Sequence, residues 1–311
     1  MTEPYRVSNS EIKAFKGDRL QWYLRYYRRL QRKERRVSGP LALGSRVHGA
    51  LEAYYNGTDL LTAYGELLDV DRLIASEEFL DLEGLESEGE MGRIMLEGFL
   101  EWSSEEGLDA GYDIISNEET LEMPLPIDYN GEQVVLRGKM DMRVRRKIDG
   151  TRLIRDFKTV GQSFEVYSAG LAWDEQALTY LMLEAYHNRD GDRSDGMEFI
   201  LLKKNKRTAR ANPPFYDRVE ILHNQFELNS FWIRTLGTVT DLINVKKALD
   251  AGADHRLVAY PNPSQDWRWK MSEYLPLVQA LYDGGPVDEI IEDLYEISDP
   301  NARYAEKEAS E

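Results

Sequence analysis

Residues 132–158, EQVVLRGKMDMRVRRKIDGTRLIRDFK, contain the pattern that decides the fold of this chain. Polar and apolar residues alternate on both sides of Asp149-Gly150, and such alternation is typical of half-buried strands. Asn130-Gly131 precedes the stretch. Both dipeptides favour hairpin turns, because the two central positions of a tight turn require positive φ. With the extended run upstream, the sequence predicts a three-stranded antiparallel meander over residues 113–128, 132–147 and 151–158.

Three polar residues share one face of this predicted meander. A two-residue loop at 149–150 places Asp141 opposite Lys158. Asp156 lies on the face of Lys158, because side chains alternate with period two. Asp141 and Asp156 then form a diagonal pair about 7–8 Å apart, so both carboxylates can bind one divalent ion. The other face is apolar and predicts a core of Met140, Met142, Val144, Leu153 and Phe157.

Two carboxylates and a lysine beside a hard metal ion are the components of a phosphodiester-cleaving site. Oxygen ligands select Mg²⁺ or Mn²⁺. The ion polarises the phosphate and lowers the pKa of a bound water, and a positioned lysine orients or activates that water. The structural alternative is a cross-strand pair of aspartate and lysine at the protein surface.

Helices are predicted before and after the meander. Ser8 and Glu11 have the spacing of a capping box and predict a short helix through Phe15. Further helices are predicted over residues 18–32, from Pro40 to Asn56-Gly57, and over residues 59–80, 87–106 and 168–188. A strand is predicted at residues 197–204, a mostly helical stretch at 216–250, and short helical pieces in the last sixty residues.

This order of elements predicts an α/β fold with a mixed central sheet. The sheet consists of the meander and a further strand, flanked by helices and by helical N- and C-terminal additions. We interpret residues 1–311 as a single domain with three parts. These parts are a helical N-terminal part (1–110), a catalytic αβ core (111–205), and a mostly helical C-terminal part (206–311) that packs back on the N-terminus.

Charge is distributed unevenly along the chain. The net charge is −17, which argues against a protein that coats nucleic acid. Residues 19–36, here called the basic segment, hold eight Arg or Lys and one Glu, so the rest of the chain carries −24. A basic stretch on an acidic protein directs a polyanion to one place, although an arginine-rich helix face in solvent is the structural alternative.

Two further features of the sequence exclude classes of protein. The chain has no cysteine, which rules out disulfides, thiolate zinc sites, cysteine-held iron–sulfur clusters and cysteine nucleophiles. The N-terminus MTEPYRVSNSE lacks the apolar region of a signal peptide, and no apolar stretch reaches the roughly 18 residues of a membrane helix. We therefore expect no membrane partner and a cytoplasmic location, in the host cytoplasm if the gene is of phage origin.

Four motifs, taken together, resemble the PD-(D/E)XK nuclease superfamily. Within it, the pattern resembles the RecB-type exonuclease branch, which includes CRISPR spacer-acquisition nucleases and many small phage exonucleases. The motifs follow the order of that branch and are LGSRVHGALEAYY (43–55), GKMDM (138–142), LIRDFKT (153–159) and EQALTY (175–180). The resemblance extends from about Val7 to about Tyr282 and implies a restriction-endonuclease-like core.

The resemblance also implies roles for individual residues. It assigns metal binding to His48, Asp141, Asp156 and the backbone carbonyl of Phe157, and catalysis to Asp141, Asp156 and Lys158. The branch often has a further glutamate on the first strand, which is Glu118 here, although Glu119 is the neighbouring alternative. Residues with supporting or DNA-contacting roles are Gln176 and Tyr180, one helical turn apart, and Glu52, which either orients His48 or is a solvated acid.

The basic residues are expected to bind DNA. In the basic segment, Trp22, Tyr23, Tyr26 and Tyr27 interleave with arginines, so phosphate binding and base stacking are both available, and some of these rings must pack in the core. The phosphate-binding candidates there are Arg25, Arg28, Arg29 and Arg32. Lys203 and Lys204 begin a second basic run, which continues to Arg210.

This chain departs from the branch in one respect. Many members hold an iron–sulfur cluster with four cysteines, and this chain has none. We expect apolar packing in place of the cluster. Trp267, Met271 and Val278 would pack near Gly17 and hold the C-terminal segment against the N-terminal helices. A lineage that never had a cluster is the alternative.

The resemblance implies a divalent-metal-dependent DNA exonuclease that serves recombination, repair or phage DNA processing. Its substrate would be single-stranded DNA or duplex ends, and a recombinase, an annealing protein or a helicase are candidate partners. The chain has no GxxxxGK[ST] motif, so any unwinding must come from a partner. Two alternatives remain: a structure-selective endonuclease of the same superfamily, and a non-catalytic DNA-binding or scaffold protein that keeps the fold.

Overall fold

The computed structural model describes residues 3–188, 193–207, 211–262 and 273–304. The chain forms two compact units, each built from separate segments. The terminal unit consists of Met1–Arg35, Glu122–Gly138 and Asn229–Glu311, and the central unit of Arg36–Leu121 and Lys139–Leu228. The single domain inferred above stays a prediction.

The described residues form the following elements. The strands are β1 (Arg6–Ser8), β2 (Leu30–Arg32), β3 (Tyr112–Tyr129), β4 (Glu132–Arg146), β5 (Arg152–Val160), β6 (Gly196–Lys203), β7 (Tyr216–Leu222) and β8 (Tyr295–Ile297). The helices are α1 (Asn9–Gly17), α2 (Arg19–Trp22), α3 (Pro40–Tyr55), α4 (Leu60–Glu77), α5 (Leu82–Glu105), α6 (Phe164–Ser168), α7 (Glu175–His187), α8 (Gln225–Asp250), α9 (His255–Val258), α10 (Leu275–Asp283) and α11 (Val287–Leu294). Among the described residues, none of the helices combines the length and the apolar character that crossing a membrane requires.

The main sheet is mixed, which confirms the predicted fold class. Its strand order is β1-β4-β5-β6-β7, and β3 pairs with β4. Pairing is antiparallel between β4 and β5, parallel between β5 and β6, and antiparallel between β6 and β7. In the terminal unit, β1 runs parallel to residues 135–137 of β4. The predicted meander is therefore present, with strand ends within about two residues of those expected.

The register between β4 and β5 differs from the prediction by two residues. Met142 pairs with Arg155, and Val144 with Leu153, where a two-residue loop would have paired Asp141 with Lys158. The loop holds four residues, because Arg146 N–H donates to Thr151 O and Gly150 N–H to Arg146 O. Asp149 stabilises this wider turn by accepting hydrogen bonds from Thr151 N–H and from the Arg146 guanidinium.

The core of the central unit lies between the sheet and helices α3, α4 and α5. Most of its residues come from these three helices and from β4, β5 and β6. Phe157 is at its centre, with ring centroids 5.7 Å from Tyr55 and 6.0 Å from Phe99. The apolar face predicted for the meander is buried throughout: Met140, Met142, Val144, Leu153 and Phe157.

The terminal unit joins the two ends of the chain. β2 pairs antiparallel with β8, matching Leu30 with Ile297. Tyr274 Oη donates to the Leu30 carbonyl over 2.8 Å, and Asn262 N–H donates to Asp18 Oδ2 over 2.8 Å. Val278, in α10, is buried. The other two residues expected to replace a cluster, Trp267 and Met271, lie outside the described residues, as does Arg210 of the second basic run.

Three predicted helices are wrong in part. The helix expected over residues 18–32 is only α2, followed by a π-helical turn at Tyr23–Tyr27, and then by β2. Residues 30–32 form a strand because they pair with β8, and no local sequence pattern predicts pairing between such distant residues. Residues 216–222 of the predicted helical stretch form β7, because they complete the sheet beside β6. The helix expected from residue 168 begins at Glu175, where Asp174 caps it.

Candidate active site

The candidate site begins where the ladder between β4 and β5 ends. Met142 and Arg155 form the last pair, and the observed register places Asp141 opposite Asp156 rather than Lys158. Beyond that pair, the Asp141 carboxylate replaces a ladder partner, since its Oδ2 accepts a hydrogen bond from Phe157 N–H over 3.2 Å. The two carboxylates are therefore direct cross-strand neighbours, closer in register than the diagonal pair predicted from the sequence.

Helix α3 brings His48 to this point. The helix starts at Pro40 after Gly39, whose φ is +106°, and it buries Val47 and Ala50. His48 Nδ1 lies 3.5 Å from Asp141 Oδ2. Burial disfavours the charged imidazole, but the hydrogen bond to Asp141 and the nearby carboxylates outweigh it and raise the pKa of His48. Burial also opposes ionisation of Asp141, yet His48, Lys158 and Phe157 N–H together lower the pKa of Asp141.

Asp156 and Lys158 form a buried ion pair on β5. The Lys158 Nζ lies 2.7 Å from Asp156 Oδ2, and the Asp156 side chain is only 4% exposed. Burial raises the pKa of Asp156 to about 6; Lys158 opposes this rise, and Asp141 adds to it. Burial disfavours the charged lysine, but Asp156 outweighs it, so the pKa of Lys158 is raised. Lys158 is therefore protonated in this arrangement.

Helix α7 positions Lys158 from the other side. Asp174 caps the helix by accepting from Gln176 N–H over 2.9 Å. Gln176 Oε1 accepts a hydrogen bond from Lys158 Nζ over 3.0 Å, and Gln176 Nε2 donates to Tyr180 Oη over 2.6 Å. The spacing of four residues puts both side chains on one helix face, as the sequence predicted. The structure thus connects Gln176 and Tyr180 to Lys158.

A second acidic group lies beside Asp141 and is held by Lys139. Lys139 Nζ lies 2.6 Å from Glu118 Oε2 and 3.7 Å from Glu52 Oε2. Burial raises the pKa of Glu118, Lys139 opposes the rise, and the charges of Glu52 and Asp141 add to it. Glu118 has a φ of +51°, an unusual conformation within a strand.

The neighbouring Glu119 has different partners. It accepts a hydrogen bond from Ser116 Oγ over 2.8 Å and pairs with Arg143 over 2.8 Å. The sequence did not decide whether Glu118 or Glu119 is the further glutamate of the site, and it gave no role to Lys139. The signal for Lys139 was its position two residues before Asp141, which places both on one face of β4.

The residues present fit a divalent metal. Within the described ranges, no group of three or more His, Asp or Glu side chains already has the arrangement of a metal site. Asp156 and Glu118 are paired with lysines instead. Beyond its ion pair, however, the buried Asp156 Oδ2 accepts no hydrogen bond from the described residues. Two adjacent carboxylates with spare oxygen capacity fit a hard cation, which would offset their mutual repulsion.

The arginines expected to bind DNA lie mostly on the surface of the terminal unit. Arg25 and Arg29 are exposed, and Arg28 donates to Tyr23 Oη over 3.4 Å. Arg32 is partly covered, with an ion pair to Glu34 at 3.5 Å. The aromatic residues between them divide as expected, because Trp22 and Tyr23 are buried and Tyr26 and Tyr27 half-buried.

The second basic run is largely engaged by the protein itself. Lys204 Nζ donates to the Pro40 carbonyl over 2.8 Å, and Lys203 Nζ lies 5.4 Å from the centre of the Phe164 ring. Lys206 donates to Ser87 Oγ over 3.0 Å, and Arg207 pairs with Glu101 at 3.3 Å. These contacts leave the basic segment as the better candidate for DNA binding.

Comparisons with known proteins identify one family. A model described as the PD-(D/E)XK nuclease superfamily matches residues 6–271. The comparison with curated proteins gives no match. One similar solved structure is titled "Crystal structure of SSO0001", with 10% identity, coverage of 76% of this chain and 77% of that chain, and a TM-score of 0.31. The family model, by contrast, matches most of the chain.

Proposed function

Because the chain belongs to the PD-(D/E)XK nuclease superfamily, we propose that it is a DNA exonuclease of RecB type that requires Mg²⁺ or Mn²⁺. Nucleases of this superfamily use divalent metals. The observation that carries the proposal is the convergence of Asp141, Asp156 and Lys158 where the β4–β5 ladder ends. A surface ion pair would not bury Asp156 or place a second carboxylate opposite it.

Asp141, Asp156, the Phe157 carbonyl and His48 are the residues that would hold the metal. When bound, the ion polarises the scissile phosphate and lowers the pKa of a water molecule. Asp141 is suited to metal binding because its lowered pKa keeps it ionised. The oxygen ligands suit both Mg²⁺ and Mn²⁺, so we expect both ions to support activity. The imidazole of His48 is an uncommon ligand for Mg²⁺ and suits Mn²⁺ better. Glu118 lies close enough to influence Asp141 and is a further candidate ligand.

Lys158 acts as a fixed positive charge rather than as a base. Its raised pKa keeps it protonated, so it donates hydrogen bonds to a phosphate oxygen or to the attacking water. Gln176 holds the ammonium in place, and Tyr180 in turn orients the Gln176 amide. Both are positioning residues in this scheme, and the hydrolysis needs no covalent intermediate.

The basic segment supplies the binding of DNA, through Arg25, Arg28, Arg29 and Arg32. Their positive charge contrasts with a chain whose net charge is −17. Phosphate contacts of this kind bind without reading sequence. Recombination, repair or phage DNA processing is the proposed setting, with a recombinase, annealing protein or helicase as the partner that supplies strands or ends.

Cleavage of two single-stranded DNA substrates tests this proposal. One is linear and labelled at its end, and the other is a covalently closed circle. With Mg²⁺ or Mn²⁺ the protein should release nucleotides from the linear strand and leave the circle intact, and EDTA should stop the reaction. Cutting of the circle would instead indicate the structure-selective endonuclease. Binding without cleavage in either metal would indicate a DNA-binding scaffold that keeps the fold.

A further inference from the structure

A cavity of about 520 Å³ lies within the terminal unit and includes none of the residues assigned to the candidate active site. Residues from the start of the chain, the π-helical turn, the β3–β4 hairpin and α8 line it. Four of the lining residues are the cations Arg6, Arg29, Arg137 and Lys246. Its volume is in the range of small-molecule sites.

The cavity lining also includes three carboxyl groups, those of Glu3, Glu11 and Asp299, so the pairing of each cation matters. Arg6 is neutralised by Glu122 at 2.9 Å, and Lys246 is paired with Asp250 at 3.5 Å. Arg29 and Arg137 form no ion pair with any carboxylate in the part of the chain that the structure describes. Neither guanidinium is neutralised by an ion pair, although Arg137 lies over the Tyr304 ring, 4.3 Å from its centre, and the nearby charge of Asp299 favours its charged form. Guanidinium is well suited to phosphate because it donates along two parallel hydrogen bonds.

Two buried polar atoms of the cavity lining also lack hydrogen-bond partners among the described residues. They are Arg137 Nε and Glu11 Oε2. The other oxygen of Glu11 accepts from Tyr5 Oη and from Trp22 Nε1. Burial raises the pKa of Glu11 to about 7, so the carboxyl is protonated for much of the time near neutral pH and opposes an anion only weakly. Buried polar atoms without partners are costly unless a ligand or water satisfies them.

Four tyrosines line the cavity, and the π-helical turn contributes two of them. Tyr26 and Tyr27 are consecutive residues of that turn, and Tyr129 contributes from the end of β3. Lys246 Nζ lies 4.9 Å from the ring centre of Tyr27 and 5.0 Å from that of Tyr129. Aromatic side chains beside cations are the surfaces on which single-stranded nucleic acids stack their bases.

The backbone has two unusual conformations beside this cavity. The π-helical turn at Tyr23–Tyr27 is one, and such turns frequently occur at functional sites. Arg29, two residues later, is the other, with a φ of +58° that residues other than glycine rarely adopt. Tyr26, Tyr27 and Arg29, which belong to these two features, all line the cavity. Strain of this kind persists where the surrounding structure requires it, and functional sites are common examples.

We propose that this cavity holds one nucleotide unit of a single-stranded DNA, with its phosphate bound by Arg29 and Arg137 and its base stacked on Tyr26. The proposal rests on the proposed function, because the bound strand would be the substrate of the nuclease. It goes beyond that function by assigning the strand a defined subsite instead of diffuse binding along the basic segment.

Binding of a fluorescent thymidine oligomer in EDTA tests the phosphate contact, since no cleavage occurs there. Arg29→Gly removes the guanidinium and suits the positive φ, so the variant should fold well. We expect roughly tenfold weaker binding and a slope of log K against log salt that is smaller by about 0.7. Arg29→Lys should retain most of the affinity. Lys13→Ala, which removes an exposed cation outside the cavity, should match the parent.

Base stacking is tested with the Tyr26 side chain and an abasic oligomer. Tyr26→Ala should weaken thymidine oligomer binding roughly tenfold, and Tyr26→Phe should restore it. The abasic oligomer should bind the parent and Tyr26→Ala equally. A Tyr26→Ala loss that is the same for both oligomers would contradict stacking.

Three results would overturn the subsite. They are parental affinity and salt slope in Arg29→Gly, parental affinity in Tyr26→Ala, and tight binding of free thymidine monophosphate with oligomer binding unaffected by either variant. None of them concerns cleavage. The proposed function fails separately, if the parent does not hydrolyse the same oligomer with Mg²⁺ or Mn²⁺.

Discussion

Lys158 and Asp156 show how burial prepares the site at the scale of single residues. Burial raises the pKa of Asp156 to about 6, while the same carboxylate raises the pKa of Lys158. The lysine of the pair is therefore protonated. Asp141, more exposed at 22%, remains ionised through His48 and Phe157 N–H. Each carboxylate thus has a basic side chain beside it, His48 for Asp141 and Lys158 for Asp156.

The role proposed for Lys158 as a fixed charge gives a first prediction. Lys158→Met should bind single-stranded DNA within about twofold of the parent when Ca²⁺ replaces Mg²⁺. Its cleavage rate with Mg²⁺ should fall by at least about a hundredfold, as when a single donor to the transition state is removed. Lys147→Met, on an exposed lysine of the same hairpin, should leave both quantities unchanged. Equal loss of binding and cleavage in Lys158→Met would assign the residue to DNA binding alone.

Glu11 gives a prediction on pH and stability. Its pKa is about 7 in the folded chain, above the ordinary 4.5, because the side chain is buried. The folded state then binds the extra proton between these values, so this stabilisation is complete below pH 4.5 and is lost as the pH rises through 7. The unfolding free energy of Glu11→Gln minus that of the parent should therefore increase by up to roughly 3 kcal/mol as the pH rises from 4.5 to 8.

Urea unfolding at several pH values measures this difference. Glu289→Gln, on an exposed glutamate of the same unit, provides the matched control and should follow the parent at every pH. A difference between Glu11→Gln and the parent that does not vary with pH would show that folding leaves the pKa of Glu11 unchanged.

At the scale of elements, the end of the β4–β5 ladder creates the site. Extending the observed register, Asp141 faces Asp156, and the side chain of Asp141 takes the hydrogen bond of Phe157 N–H. The sequence predicted the strands because the alternation and the Asn-Gly and Asp-Gly turns are local signals. It missed the register because the loop has four residues. The error of two residues preserved the faces, whereas an error of one would have inverted them.

Non-local pairing explains the elements that the sequence did not predict. β2 depends on β8, more than 260 residues away, and Arg29, just before β2, has a positive φ although it is not a glycine. β7 depends on β6 in the same way. Within the site, the motifs indicated Asp141, Asp156 and Lys158, but the pairing of Lys139 with Glu118 and Glu52 needed the three-dimensional arrangement.

The pairing of β2 with β8 gives a prediction at this scale. Tyr295 is buried and stacks on Tyr274 with ring centroids 5.8 Å apart. Tyr295→Ala should lower the unfolding free energy by about 3–5 kcal/mol, as for other buried aromatics. Ile297→Ala, on the same strand but 68% exposed, should change it by less than about 0.5 kcal/mol. Similar midpoints of urea unfolding for Tyr295→Ala and the parent would contradict the role of β8.

At the scale of the whole molecule, we expect the distribution of charge to localise DNA binding to the basic segment. Replacing Arg28 and Arg32 with Ala should weaken binding of single-stranded DNA and reduce the salt slope by up to about 1.4, at 0.7 for each phosphate contact. Arg72 and Arg93, in the acidic helices α4 and α5, provide a control with the same change in net charge. Their double Ala variant should keep the parent's affinity. Equal losses in both double variants would mean that net charge, rather than the basic segment, governs binding.

The most direct test of the account compares two isosteric substitutions on the β4–β5 hairpin. Asp156→Asn removes a carboxylate of the candidate metal site, and Asp149→Asn removes one from the loop. The rate of nucleotide release from end-labelled linear DNA is measured with Mg²⁺, with Mn²⁺ and with EDTA. We expect Asp149→Asn to act like the parent in both metals, EDTA to stop both, and Asp156→Asn to lose at least about a thousandfold in rate. Parental rates in Asp156→Asn, or undiminished release in EDTA, would contradict the central claim.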